Sequence, residues 1–294
     1  MSSRLSITSF NLGGFIANRA KRHDWSYRAP LVAELLSAYG PDVLAIQEVQ
    51  PGNMAALMKA LSDYESFWGR PTCAKPPSEI ETYNAIFWRR DTLCRKRSHS
   101  LYLSNNPDSL RQNWSSGGVR GATWTCLENL EYGSQFLACS THLDHRNRSA
   151  REEGSRMLIG RLDKVATELS VPIILAGDFN SRAWAPPDEE RIEYPPTILR
   201  AFLPEAGPIY DLYVAAGYRD TFIESGLTHG LDTNTYHDFL GEAFPPAALR
   251  IDWILYKDDL NRLSTRRFEV VRGFSGHATF PSDHFPIFSE LSVS

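Results

Sequence analysis

The chain has 294 residues, of which 42% are hydrophobic and 22% charged, and its formal net charge is −4. This composition is typical of a soluble globular protein, and no apolar run approaches the ~20 residues that a membrane-spanning helix requires. The acidic balance supplies no overall basic field to attract duplex nucleic acid. This balance weakens the case for a nucleic-acid substrate without excluding one, because a basic groove can exist within an acidic protein.

The first residues enter a strand-like run and show neither the apolar stretch nor the small-residue cleavage site of a signal peptide. We therefore expect a cytoplasmic protein. The four cysteines lie far apart without a C-x-x-C pair, which favours neither a zinc site nor a disulfide framework. Three of them fall within strand-like segments, where a free thiol serves as a small buried apolar group. The four cysteines of the chain are Cys73, Cys94, Cys126 and Cys139.

The predicted elements alternate between helices and strands in both halves of the chain, with a run of strands between. The first half opens with a strand at 5–12, a helix at 28–39 and a buried strand at 43–46. Strands rich in aromatic and β-branched residues follow at 83–88, 97–103, 121–127 and 135–140. A helix at 148–169 precedes strands at 171–176, 250–256, 268–274 and 285–291. No repeat divides the chain, so we predict one α/β domain over 1–294, with two packed sheets covered by helices.

Polar residues recur where these strands end, although Asp, Asn and Glu are depleted from strands because their burial is costly. Each position has an ordinary explanation when taken singly, such as a turn, a cap, a surface charge or a satisfied structural histidine. Six such positions in one chain favour a shared site. The residues are Asn11, Glu48, His142, Asp178 with Asn180, Asp252, and Asp283 with His284.

In their order, these motifs resemble the signature of the endonuclease/exonuclease/phosphatase superfamily. They read Ser-Phe-Asn11-Leu, Ile-Gln-Glu48-Val, Thr-His142-Leu, Gly-Asp178-Phe-Asn180, Arg-Ile-Asp252-Trp and Ser-Asp283-His284. The Thr-His-Leu-Asp-His run resembles a largely uncharacterised branch, which supplies no substrate. The resemblance covers the whole chain and implies a four-layer α/β/β/α sandwich, in which two mixed sheets pack face to face with helices outside.

The chemistry of these residue types agrees with that resemblance. Glu48 and Asn11 offer the hard oxygen ligands that suit Mg²⁺ or Mn²⁺, and such ions accept phosphate oxygens directly. Asp178 is the expected base for an attacking water, and Asn180 could donate to the same phosphate. The sequence therefore predicts hydrolysis of a phosphate ester.

Each histidine of the signature has a carboxylate available to it. By the family pattern we pair His142 with Asp252 and His284 with Asp283, which would favour charged rings that bind phosphate oxygen. The resemblance also allows Asp283 to contact the metal ion, and both roles stay open.

Four further residues are candidates for contacting substrate. They are Asn84, Arg120, Tyr236 and His237. Ordinary loop packing explains Tyr236 and His237 equally well, and Arg120 could simply flank the edge of a sheet. Asp144 and His145 are explained by capping of the helix predicted from 148 and are not assigned to the site.

We expect a metal-dependent phosphoesterase with a phosphoester substrate and no evident obligate protein partner. A small or lipid-like phosphoester is slightly favoured, because the only concentrated basic run is Arg95-Lys96-Arg97. A nuclease acting on DNA or RNA is the alternative. A phosphate-binding module without catalysis would lack Glu48, Asp178 or His284, and a glycosidase would not need the asparagines and histidines.

Overall fold

The structure is a computed structural model that describes residues 3–14, 23–72, 81–200, 203–273 and 279–293. Cys73 and residue 274, the last of the strand predicted at 268–274, lie outside these ranges. The strands are β1 (Ser3–Asn11), β2 (Val43–Val49), β3 (Tyr64–Phe67), β4 (Tyr83–Arg89), β5 (Leu93–Tyr102), β6 (Gly121–Asn129), β7 (Gln135–His142), β8 (Ile173–Asp178), β9 (Arg219–Asp220), β10 (Asp252–Lys257), β11 (Leu263–Val270) and β12 (Ile287–Val293). The helices are α1 (Trp25–Tyr39), α2 (Pro51–Ala60), α3 (Arg148–Leu169), α4 (Pro196–Arg200), α5 (Pro208–Ala215) and α6 (Thr221–Glu224).

The strands form two mixed sheets of six, which confirms the predicted sandwich. The first sheet has the order β11-β12-β1-β2-β4-β3, and the second has the order β5-β6-β7-β8-β10-β9. Within the described residues, no helix is both long and apolar enough to cross a membrane.

Alternation along the strands explains the four layers. In β2, Val43 and Ala45 face the core between the sheets, whereas Leu44 and Ile46 face outward against α1 and α2. A strand that is buried on both faces reads as a continuous apolar run, as this one does. The second sheet is covered in the same way by α3 and α5, whose Leu158 and Tyr213 pack on its outer face.

Most predicted elements are present, with some shifted ends. The helix α3 has the predicted bounds, whereas the strand expected at 268–274 begins earlier, as β11. The helix α2 is not among the predicted elements. Its start at Pro51 suits a helix, because proline is favoured in the first helical turn, and reciprocal bonds between Gln50 and Asn53 cap it.

Strand register sets the position of the polar strand ends. His142 of β7 lies opposite Asp178 of β8 in parallel pairing, and Asp178 lies opposite Asp252 of β10 in antiparallel pairing. Three polar side chains from three adjacent strands therefore meet at one end of the second sheet. Asn11, the last residue of β1, reaches the same place from the first sheet.

Candidate active site

The two sheets are joined at this end of the sandwich by a hydrogen bond between the ends of two strands. The Asn11 side-chain nitrogen donates to Asp178 Oδ2 at 2.9 Å and approaches Glu48 Oε1 at 3.4 Å. Its oxygen accepts from the Gly13 backbone N–H at 2.9 Å. Asn11 thus presents its amide nitrogen to two carboxylates, and its oxygen supports the turn that follows β1.

Asp252 is the partner of His284, which corrects the predicted pairing. Asp252 Oδ2 lies 2.9 Å from His284 Nδ1, and both side chains are buried. Burial alone would lower the pKa of His284, but the charges of Asp252, Asp178 and Asp283 outweigh it and raise this pKa to about 10. His284 is therefore a cation near neutral pH, and its Nε2 lies 3.8 Å from Asp178 Oδ2.

His142 is held by Asn180 and not by Asp252. The Asn180 side-chain nitrogen lies 2.9 Å from His142 Nε2 and also donates to the Leu143 carbonyl at 3.1 Å. Because both amide hydrogens are used, Nε2 of the imidazole accepts and Nδ1 carries the proton. Burial, and then the charge of Arg120, lower the pKa of His142 well below its ordinary value. The prediction of a charged His142 is therefore wrong.

The same geometry changes the part assigned to Asn180. Its side chain orients His142 and has no amide hydrogen left for a phosphate. The residue adopts a left-handed backbone with φ of 47°, and its N–H donates to Asp178 Oδ1 at 2.8 Å. Asn180 thus positions both an imidazole and a carboxylate.

Asp178 is the centre of the arrangement. It is buried, accepts bonds from Asn11 and from the Asn180 backbone, and lies 3.4 Å from His142 Nε2. Burial, and then the negative charge of Asp252, raise the pKa of Asp178 to about 7. A carboxyl group with such a pKa can exchange a proton near neutral pH.

Glu48 and Asp283 face a tight turn formed by Gly13 and Gly14. Both glycines have positive φ, of 66° and 46°, and a Cβ at Gly13 would collide with Asp283 Oδ1. A Cβ at Gly14 would lie 2.8 Å from Glu48 Oε2. Partial desolvation, and then the charge of Asp283, raise the pKa of Glu48. Its side chain is 31% exposed, so this carboxylate is the accessible one.

Two sets of ligand atoms at this end could hold a metal ion. Glu48 and Asp283 repel each other electrostatically and both lie against the glycine turn, and paired carboxylates of this kind suit a hard cation. Ligand atoms of Asp178, Asp252 and His284 also lie within 4.8 Å of one another, but all three side chains are buried. In that set, His284 already supplies the compensating positive charge.

Arg120 lies beside the site and contacts the residues that follow His142. One terminal nitrogen lies 2.7 Å from His145 Nδ1, and Nε lies 3.8 Å from Asp144 Oδ2. Glu48 and Asp178 also act on this guanidinium electrostatically. Asp144 accepts from the backbone N–H groups of Gly117, Arg146 and Asn147, while Asn147 itself caps α3.

The three other candidates for substrate contact have different surroundings. His237 is 1% exposed, accepts from the Gly241 N–H and packs against two phenylalanines, so its predicted substrate contact is wrong. Burial lowers the pKa of His237 to about 3, which keeps the ring neutral. Asn84 is buried and donates across the sandwich to the Gly121 carbonyl at 2.7 Å. Tyr236 is half-buried, with its ring edge-on to His284 at 5.2 Å between centroids.

Arg28 supports the site and was missed in the sequence. It is 0% exposed and donates to the carbonyls of Leu12, of Gly14 at 2.6 Å and of Pro281 at 3.0 Å. It thereby ties the glycine turn to the segment that carries Asp283. An arginine on the apolar face of a predicted helix, four residues before Val32, was the available signal.

Arg151 explains part of the motif that follows the Thr-His-Leu-Asp-His run. Its buried guanidinium pairs with Glu205 and donates to the Asp144 carbonyl at 2.8 Å. The Glu205 carbonyl in turn accepts from Ser181 and from the Arg182 N–H. Arg151 thus links the turn at Asp144 to the loop that follows Asn180.

The sequence profile of the Endonuclease/Exonuclease/phosphatase family matches residues 8–284, a span that includes every strand end described above. The chain belongs to this family. Members of the endonuclease/exonuclease/phosphatase family are hydrolases of phosphoester bonds that depend on divalent metal ions. The expected class of enzyme is therefore confirmed.

Two curated relatives match about half of the chain. Human Nocturnin is 28% identical over 175 residues, which are 56% of this chain and 37% of that protein. The Ccr4 3′-5′-exoribonuclease subunit of Schizosaccharomyces pombe is 24% identical over 201 residues, which are 53% of this chain and 29% of that protein. The chain thus spans about a third of the length of these curated relatives.

A solved structure shares the fold over its whole length. The mannosyl-6-phosphatase of Bacteroides thetaiotaomicron superimposes with a TM-score of 0.79 at 23% identity, covering 98% of this chain and 99% of that one. This likeness bears on the fold alone and leaves the substrate open.

Proposed function

We propose that this chain is a single catalytic domain that hydrolyses a compact phosphoester with Mg²⁺ or Mn²⁺. The observation that supports it most is the Asp252–His284 pair beside Asp178. It offers a cationic imidazole and a carboxyl group with a pKa of about 7 within 3.8 Å of each other. Attack on a phosphate ester requires both a base and a positive group near the reacting phosphorus.

Glu48 and Asp283 would hold the metal ion at the glycine turn, where their repulsion is relieved by a cation. When bound, such an ion neutralises phosphate oxygens and assists departure of the alkoxide. Asn11 was predicted as a third ligand, but its nitrogen faces the carboxylates. Its proposed role is to orient Glu48 and Asp178 through hydrogen bonds of 3.4 and 2.9 Å.

Asp178 would take the proton from the attacking water. Its two oxygens are fixed by the Asn11 side chain and the Asn180 backbone, so the free lone pairs have defined directions. His284 Nε2 would then stabilise charge on the phosphate, while Asp252 holds its other nitrogen. Neutral His142, kept in one tautomer by Asn180, would offer its Nδ1–H on the side of Glu48, whose Oε1 lies 3.8 Å away.

The preference for a compact substrate rests on charge. The chain is acidic overall, and the cations that face Asp178 are the recessed His284 and Arg120. A phosphate group at the end of a small molecule could enter between them without a long basic track. The Ccr4 relative makes nucleic acid the second candidate.

The test is a screen of metal-depleted protein against phosphomonoesters and phosphodiesters, with and without added Mg²⁺ or Mn²⁺. We expect turnover only with metal, and a loss of about 10²- to 10⁴-fold in kcat for Asp178→Asn. Glu168→Gln is the matched control, since this exposed carboxylate pairs with Arg97 on the surface. Full activity of metal-free parent protein, or near-parental kcat in Asp178→Asn, would contradict the proposal.

A further inference from the structure

Two arginines contact one imidazole next to the proposed active site. His145 lies between them, with Nδ1 at 2.7 Å from the Arg120 terminal nitrogen and Nε2 at 3.1 Å from Arg146 Nε. Arg120 is the member that faces Glu48 and Asp178, whereas Arg146 is exposed on the other edge of the ring. The three side chains form a row that leads outward from the site.

These three side chains have more hydrogen-bond donors than acceptors. A neutral imidazole has one acceptor nitrogen, and an arginine has only donors, so just one of the two contacts can be a hydrogen bond. In the other contact, two N–H groups point at each other. Protonating His145 would remove the remaining acceptor, and burial followed by the charge of Arg120 already lowers its pKa to about 4.

The carboxylate in the row does not make up the deficit. Asp144 already accepts from three backbone N–H groups, and its nearer oxygen is 3.8 Å from Arg120 Nε. Within the described part of the chain, Arg120 Nε is buried without a hydrogen-bond partner. The buried Arg120 Nε–H and one of the two contacts at His145 therefore lack a hydrogen-bond acceptor, which an anion bound at this position would supply.

His145 and Arg146 pack closely against the backbone at Gly117, where a larger residue would collide with them. A Cβ at Gly117 would lie 2.8 Å from Arg146 Cδ and 3.1 Å from His145 Cε1, while its N–H bonds to Asp144 at 2.7 Å. The loop before β6 thus packs directly on the two side chains. This packing favours a fixed arrangement over two independent surface residues.

We propose that Arg120, His145 and Arg146 form a subsite for a second anionic group of the substrate, a phosphate or a carboxylate beside the scissile phosphate. An anion there would accept from both guanidinium groups and relieve the opposed N–H pair. The proposal rests on the proposed function, and it narrows the substrate to molecules with two anionic groups. Binding of a phosphate or carboxylate by paired arginines is strong because each contact is charge-assisted.

The kinetic test compares matched substrates that differ by one anionic group. Adenosine 5′-phosphate is paired with adenosine 3′,5′-bisphosphate, and glucose 6-phosphate with glucose 1,6-bisphosphate. Glycerol 2-phosphate is paired with 2-phosphoglycerate, which tests a carboxylate in place of the second phosphate. We expect a higher kcat/KM for the doubly anionic member of at least one pair, and Arg146→Ala should reduce that advantage about 10-fold or more.

Two further variants separate recognition from folding. Arg148→Ala is the matched control, because Arg148 is exposed two residues away and pairs with Glu152. It should leave the ratio within each substrate pair unchanged. Arg146→Lys keeps the charge but loses the planar fork and should retain part of the preference. Singly anionic substrates do not occupy this subsite, so parent and Arg146→Ala should cleave them equally well. An equal loss of activity on singly and doubly anionic substrates in Arg146→Ala would overturn the subsite.

A binding measurement keeps this inference separate from the proposed function. Inorganic phosphate is titrated into metal-free protein labelled for histidine NMR, with the His145 and His284 rings followed individually. We expect the His145 signals to shift in the parent protein and to stay unchanged in Arg146→Ala, with His284 responding alike in both. If no ester is hydrolysed, the proposed function fails while this titration still tests the subsite. Unmoved His145 signals in the parent would overturn the subsite. Hydrolysis of the substrate pairs without a preference for any doubly anionic member would overturn it as well.

Discussion

Asn11 and Asp178 are 167 residues apart in the chain, yet a 2.9 Å hydrogen bond joins their side chains where the two sheets meet. Asn11 ends β1 in the first sheet, and Asp178 ends β8 in the second. The amide group of Asn11 therefore holds both Glu48, the proposed metal ligand, and Asp178, the proposed base. Movement of one sheet relative to the other would separate them.

Changing Asn11 should affect the base directly. Asn11→Asp removes the donor and adds a negative charge beside Asp178, so we expect kcat to fall about 10²-fold and the pKa of the base to rise. The measurement is the pH dependence of kcat, whose rising limb should shift to higher pH. Asn129→Asp, in the hairpin between β6 and β7, is the control because its Oδ1 acceptor is retained. An unmoved limb in Asn11→Asp would contradict this assignment.

Removing the charge of Asp252 should lower the pKa of His284. In metal-free Asp252→Asn, we expect the pKa of His284 to fall from about 10 toward or below its ordinary 6.5, because burial then acts with less opposition. NMR titration of the labelled ring measures this. Since the folded-state pKa is raised, the stabilisation by the pair is complete below about pH 6.5 and is lost as the pH rises through about 10.

The stability of Asp252→Asn relative to the parent should follow the same window. Chemical unfolding in EDTA should show the largest deficit at pH 6 and a diminishing one above pH 9. Asp163→Asn, which breaks the partly exposed ion pair with Lys257, serves as the control without a histidine. A deficit that does not change with pH would contradict the role of the charged ring.

The side chain of Asn180 should matter through His142. Asn180→Gly removes the amide but suits the left-handed backbone, whereas Asn180→Ala adds backbone strain of about 1 kcal/mol. We expect both variants to lose kcat by about 10- to 100-fold, and Asn180→Ala to be the less stable of the two. The His142 ring should show one tautomer in the parent and a mixture in both variants by NMR. A single unchanged tautomer would refute the positioning role.

The glycine turn should control metal affinity. Gly13→Ala places a Cβ against Asp283 at a positive φ, so we expect Mn²⁺ binding to weaken about 10-fold or more. Calorimetry or electron paramagnetic resonance measures this without reference to turnover. Gly160→Ala in α3 is the control, because no atom lies within 4 Å of its added Cβ. Equal Mn²⁺ affinity in Gly13→Ala and the parent would place the ion elsewhere.

Salt dependence should separate a compact substrate from nucleic acid. A protein that neutralises about six DNA phosphates loses roughly 10³-fold in affinity between low and physiological salt, whereas small substrates engage fewer charges. We expect kcat/KM for the best phosphomonoester to exceed that for plasmid DNA and for single-stranded RNA or DNA at both salt concentrations. A nucleic acid as the best substrate, with a steep fall in salt, would replace the compact substrate with the nuclease alternative.

The sequence alone determined most of the elements and the chemical groups. Alternating and helical patterns depend on neighbouring residues, so β1, β2 and α3 could be read directly, as could the polar residues that end strands such as Asp178 and Asn11. The order of the motifs then indicated the family. These inferences need no knowledge of which strand lies beside which.

Only the tertiary structure decided the partners. Register places His142, Asp178 and Asp252 side by side, and His284 contacts Asp252, so the pairing expected from the family pattern was wrong. Likewise, His237 turns inward and Arg146 meets His145. Side-chain direction and contact between distant segments depend on packing across strands, which local periodicity does not encode.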